Sequence, residues 1–97
     1  MQLTTSDIQI VKNYFSGKPV IRAYVFGSYS RDEADNNSDI DILVDLDYSE
    51  HIGLKFVTMQ SELQKKLQKK IDLISSKAIS KYISSFIEKD KVLIYER

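Results

Sequence analysis

The chain has 97 residues, 42% of them hydrophobic and 29% charged, which is enough for one ordinary globular domain with one core and leaves no room for a second, acceptor-binding domain. Its 14 basic and 14 acidic residues cancel, and it has no cysteine, which excludes disulfides and thiolate metal sites and leaves hard oxygen ligands. No apolar run approaches bilayer length, and the start lacks the basic-then-apolar order of a secretory signal, so a cytoplasmic location with no membrane partner is expected.

Taken in order, Ser6-Asp7-Ile8-Gln9 has the form of a capping box. Ile8, Val11 and Phe15 follow at helical spacing until Gly17 and Pro19, which predicts a helix over roughly residues 6 to 16 packing an apolar stripe on a sheet. Val20 to Phe26 is rich in β-branched and aromatic residues and reads as a strand that delivers Gly27. Gly27 lets backbone turn and come close to a ligand, and Ser28 opens a short helix or turn that reaches Arg31. Asp35-Asn36-Asn37-Ser38 is turn chemistry.

Ile40 to Leu46 reads as the second strand, entered through Asp39. Side chains alternate along a strand, so Asp39 and Asp41 project from one face about 6.5 Å apart, and Ile40, Ile42 and Val44 take the buried face. Asp45 shares the aspartate face but stands about 13 Å beyond Asp41 along an extended strand, too far to be a third ligand. From His51 to about Lys69, Ile52, Phe56, Met59, Leu63 and Leu67 predict one long amphipathic helix, with His51 in an exposed or capping position. Lys70 to Ser75 is a third strand containing a lone acid, Asp72. Either it pairs with Lys70 or Arg22, or it faces the side of Asp39 and Asp41 and joins them at a metal site. Ile79, Tyr82, Ile83, Phe86 and Ile87 make a last amphipathic helix, and Val92 to Tyr95 a terminal strand. The order helix, strand, short helix, strand, helix, strand, helix, strand makes residues 1–97 a single α/β (α+β) domain with helices packed on a sheet.

Charge is unevenly spread. Residues 32 to 50 hold eight acids, Asp32 to Glu50, and no Lys or Arg, whereas Lys65, Lys66, Lys69, Lys70, Lys77 and Lys81 crowd the later part. The lysines read as a solvated helix face, because no interleaved aromatics accompany them as direct nucleic-acid binding would require.

Gly27-Ser28-x-x-Arg31, six residues, then Ser38-Asp39-Ile40-Asp41-Ile42-Leu43-Val44 resembles the signature of the nucleotidyltransferase superfamily that includes DNA polymerase beta. Within it the chain most resembles the minimal nucleotidyltransferases, small proteins paired with a HEPN-domain toxin. The resemblance implies a mixed sheet with the active site along one edge. Asp39 and Asp41 would bridge two magnesium ions, manganese being an alternative, and Asp72 would hold the ion nearest the acceptor hydroxyl. Gly27, Ser28 and Arg31 would grip the phosphates of ATP. It further implies transfer of AMP to a hydroxyl, a tyrosine's, on a partner HEPN toxin bound in a hetero-oligomer, which makes this chain the antitoxin of a type VII-like pair. Two other readings stand beside it: an antitoxin that neutralises by binding alone with a vestigial site, and a small-molecule transferase of the aminoglycoside type, disfavoured by the missing acceptor domain. One departure from the family pattern is Asp32, where many relatives place glycine after the arginine.

Overall fold

The computed structural model describes all 97 residues. Helix α1 (Thr5–Phe15) leads into strand β1 (Val20–Phe26), which runs into a single 3₁₀ turn at Gly27–Tyr29. Then come β2 (Ile40–Leu46), α2 (Lys55–Leu67), β3 (Ile71–Ser75), a second 3₁₀ turn (Ser76–Ala78), α3 (Lys81–Asp90) and β4 (Val92–Glu96). The strands form one mixed sheet in the order β3-β2-β1-β4, with β2 and β3 parallel and the other pairs antiparallel, as the resemblance implied. No helix is long and apolar enough to cross a membrane.

One face of the sheet carries the core. Ile40, Ile42 and Val44 of β2 and Val20, Ala23 and Val25 of β1 are fully buried, together with Val11 and Phe15 of α1 and Leu63 of α2. Each such side chain contributes about 1.5–3 kcal/mol when withdrawn from water, so a register slip in β2 that exchanged these residues for its aspartates is strongly disfavoured. Leu43 and Ile87 are also buried but lie outside this cluster, and α3 makes its main contact with β1.

Several expected boundaries shift. The capping box of α1 is built by Thr4 and Asp7, with Asp7 N–H donating to Thr4 Oγ1 at 3.0 Å, because Thr4 has the extended backbone a cap needs while Ser6 is already helical. Helix α2 begins at Lys55 rather than His51: Ile52 sits in the preceding turn, accepts from Lys55 N–H at 2.8 Å, and packs against the core from there. At its other end Gln68 is left-handed (φ 53°), which leaves Lys69 outside the helix.

Strand β3 is an edge, and an open edge exposes unpaired N–H groups. Helix α2 closes part of it. The side-chain carbonyls of Gln60 and Gln64 accept from Leu73 N–H at 2.9 Å and Ile71 N–H at 3.1 Å. One turn plus a fraction of helix rises about 6 Å and two strand residues span about 6.6 Å, so side chains four apart on α2 match donors two apart on β3. Replacing Gln60→Ala and Gln64→Ala together leaves both part-buried donors without a protein partner, and is expected to lower unfolding stability by about 1–2 kcal/mol in urea denaturation. No change would mean that these bonds do not fix β3.

Candidate active site

Strand pairing, not side-chain flexibility, brings the acidic residues together. In the parallel β2–β3 pair Asp41 stands directly opposite Asp72, flanked by the apolar pairs Ile40–Ile71 and Ile42–Leu73. Neighbouring strands lie about 4.8 Å apart, and paired residues point to the same side of a sheet, so the two carboxylates rise from adjacent positions on the face away from the main core. Asp39 lies one residue before β2, on its exposed lead-in, and its charge still reaches Asp41.

Asp72 is exposed at the sheet's edge opposite Asp41, the second of the two settings its sequence left open, and it forms no ion pair with Lys70. Nor does Arg22 pair with it. That guanidinium is held by Asp45 at 2.9 Å and Glu96 at 3.7 Å. Asp45 is thereby committed to a structural ion pair, as its distance along the strand already required.

The turn after β1 fits against this cluster. Gly27 has φ +76°, a conformation that other residues rarely adopt, and a Cβ there would collide with Oδ2 of Asp41. Only glycine lets the turn approach the carboxylate this closely. The Gly27 carbonyl accepts from Ser30 N–H at 3.1 Å, Arg31 N–H at 3.2 Å and the Ser30 hydroxyl at 2.9 Å. Ser30 is thus spent on the turn, which leaves Ser28 as the hydroxyl at its start.

Arg31 differs from the simple phosphate-gripping picture. Its Nη1 is 2.5 Å from Asp90 at the end of α3 and its Nε 3.2 Å from Glu33, while its charge still lowers the ionisation cost of Asp41. It bridges α3 to the site. Asp90 is a residue that sequence reasoning passed over, since nothing in its local pattern marks a partner 59 positions away. Asp32 has φ +60°, the left-handed region that aspartate tolerates better than most residues and that the glycine of the resembled pattern adopts freely. Its carboxylate pairs with the Met1 amino group at 2.8 Å.

Burial, followed by the charges of Asp72 and Asp39, pushes the Asp41 carboxyl up to about 6, with Arg31 offsetting part of the rise. Asp39 and Asp72 both act by charge on Asp41, none of the three has a lysine or arginine partner of its own, and their oxygens are of the hard kind that magnesium or manganese takes. As placed, no three of the chain's histidine, aspartate and glutamate side chains converge closely enough to hold one metal ion. Like charges at adjacent strand positions hold apart until a cation offsets them. The largest cavity, about 570 Å³ between α1 and α2 and lined by Tyr14, Lys18, Glu62 and Lys66 among others, contains none of these acids.

Residues 9–97 match the family model described as polymerase beta, nucleotidyltransferase. A chain of Methanocaldococcus jannaschii named as a protein adenylyltransferase is 38% identical over 88 residues, 89% of this chain and 85% of that one. Protein adenylyltransferase MntA of Thermococcus cleftensis is 34% identical over 70 residues, 72% of this chain and 70% of the relative. Among solved structures, that of a tri-AMPylated Shewanella oneidensis HEPN toxin in complex with its MNT antitoxin contains a chain that superposes with a TM-score of 0.73 at 18% identity, covering 100% of this chain and 74% of that one, a likeness of fold.

The raised Asp41 carboxyl has a stability consequence. An acid that binds its proton more tightly folded than unfolded costs the fold stability as the unfolded chain ionises first, so this cost is absent below about pH 4, builds between about pH 4 and 6 and is complete above that. Asp41→Asn is therefore expected to stabilise the metal-free protein at pH 7 by about 1 kcal/mol, the full shift being discounted because the group is only half-buried. The gain should vanish by pH 4 in thermal melts recorded with a chelator. A variant no more stable than the parent at pH 7 would contradict it.

Proposed function

The chain belongs to the polymerase beta nucleotidyltransferase family, and from that premise we propose that it is a protein adenylyltransferase that moves AMP from ATP to a tyrosine hydroxyl of a HEPN-domain toxin, thereby acting in the cytoplasm as the antitoxin. The observation that carries the reading is the register of Asp41 against Asp72 on an open face beside the Gly27 turn. The named functions of the relatives, and the modified toxin in the structure of similar fold, support the choice of AMP and of a HEPN acceptor.

Transfer to a hydroxyl makes a new bond from that oxygen to the α-phosphorus and breaks the bond to pyrophosphate, so negative charge grows on the entering oxygen, the phosphoryl oxygens and the leaving group. Asp39, Asp41 and Asp72 would hold two divalent cations, magnesium or manganese, whose chemistry is to stabilise entering and departing oxygens together. The exposure of Asp72 at the sheet edge supports a role facing the incoming acceptor, whose hydroxyl proton it would take as a carboxylate. Ser28 and the backbone of the Gly27 turn align the β- and γ-phosphates, and Arg31 adds positive charge there to the extent that it gives up Asp90 or Glu33. Most of the rate gain is then positioning and electrostatics.

The exposure of Asp39 and Asp72 favours a macromolecular acceptor over a small one, which needs a pocket to bury most of its surface. Incubating the chain with ATP, magnesium and its cognate HEPN-domain protein should add one or more AMP units to the latter by intact-mass spectrometry. With Asp39→Asn and Asp41→Asn together, transfer should fall at least about 1,000-fold, since removing metal ligands removes most of the transition-state charge stabilisation. Undiminished protection of cells by that variant would show neutralisation by binding alone.

A further inference from the structure

Helix α3 carries an apolar stripe that its own packing does not use. Tyr82, Ile83, Phe86 and Ile87 recur at helical spacing, yet only Ile87 is buried, while Tyr82 is 77%, Phe86 57% and Ile83 51% exposed. Tyr82 and Phe86 meet edge to face with ring centroids 5.6 Å apart, so the two rings cover one another rather than the sheet. The strand that follows exposes Val92 and Leu93 as well. Tyr82, Ile83 and Phe86, large, apolar and exposed together on one helix, mark an interaction surface.

Charge decides what kind of partner it fits. The acids of α3 are already paired, Glu88 with Lys91 at 2.8 Å and Asp90 with Arg31, whereas Lys81 and Lys89 take part in no ion pair, and Lys89 Nζ lies 6.0 Å from the centre of the Phe86 ring. The rim is positive. A second copy docked through the same face would set lysine against lysine, which disfavours self-association. Two free lysines are few for a polyanion, whose binding grows with each phosphate neutralised, and rings locked edge to face on each other are poor platforms for bases.

Position ties the stripe to the chemistry. Asp90 holds Arg31, and Arg31 acts on Asp41, so the end of α3 abuts the acidic site. Phe86 and Tyr82 lie four and eight residues back, about 6 and 12 Å along the helix axis. We infer that the exposed stripe of α3 is the docking surface for the acceptor protein, which lays an apolar patch rimmed by acidic side chains against Tyr82, Ile83 and Phe86 and so presents its hydroxyl to the neighbouring carboxylates. The inference rests on the proposed transfer to a protein hydroxyl and adds where that protein binds.

The test separates docking from catalysis. Tyr82→Ser with Phe86→Ser removes two exposed rings, and an unchanged thermal midpoint verifies the fold. Leu54→Ser with Val57→Ser removes apolar groups that are equally exposed but lie at the start of α2. Each protein is titrated calorimetrically with the cognate HEPN-domain protein in nucleotide-free buffer, and separately with ATP and magnesium. The α3 variant is expected to lose about 30-fold or more in affinity for the partner while keeping that for ATP, and the α2 variant to keep both. Lys81→Glu with Lys89→Glu should slow association with the partner, the more so at low salt. Unchanged partner affinity in the α3 variant, an equal loss in the α2 variant, or no partner binding by the parent chain would overturn the inference. So would a parent chain that dimerises or retains RNA through these rings. A parent chain that binds the partner but transfers no AMP would remove the proposed reaction and leave the docking surface standing.

Discussion

The pairing of β2 with β3 is the constraint on which the rest of this molecule depends. It sets Asp41 opposite Asp72 on one face and Ile42 opposite Leu73 on the other, so a single register satisfies both the core and the acidic cluster. Hydrophobic burial does the selecting, because a shift by one residue would send isoleucines outward and aspartates inward. The glutamines of α2 then tie β3 from its outer edge, which makes the helix both a cover for the core and a register clamp for the strand that carries Asp72.

That arrangement concentrates charge that the isolated fold does not want. Asp41 is half-buried among like charges, and the only cation acting on it is Arg31, which also serves Asp90 and Glu33. Retaining such a cluster costs stability, a pattern expected of function rather than of folding. Gly27 makes the approach possible, since its missing Cβ is the space into which the Asp41 carboxylate fits. Arg31 connects the acidic cluster to α3, so the helix with the exposed aromatics is physically joined to it.

Much of this was legible in the residues. Strands β1 and β2 fall where β-branched runs placed them, since Val20 to Phe26 and Ile40 to Leu46 are short, apolar and bounded by Gly, Asn and Asp. The alternation in β2 also told which face Asp41 would take. Register between strands distant in sequence was not legible from the residues alone: they left Asp72 either in a salt bridge or facing the side of Asp39 and Asp41, and the β2–β3 pairing decides for the second. Helical periodicity in α3 revealed a stripe without saying what the stripe meets, and most of it meets nothing in this chain. Long-range ion pairs such as Arg31 with Asp90 leave no local signal. The family resemblance supplied Arg31 with a ligand role and could not foresee its structural partners.

The account centres on three carboxylates, from two strands and the approach to one of them, serving a common pair of cations beside the Gly27 turn. Anomalous scattering from crystals grown with manganese and a non-hydrolysable ATP analogue tests that directly. The account predicts two manganese peaks, both touching Asp39 and Asp41, one of them also touching Asp72, with the triphosphate running toward Ser28. Manganese bound elsewhere, or a nucleotide seated away from the Gly27 turn, would contradict it.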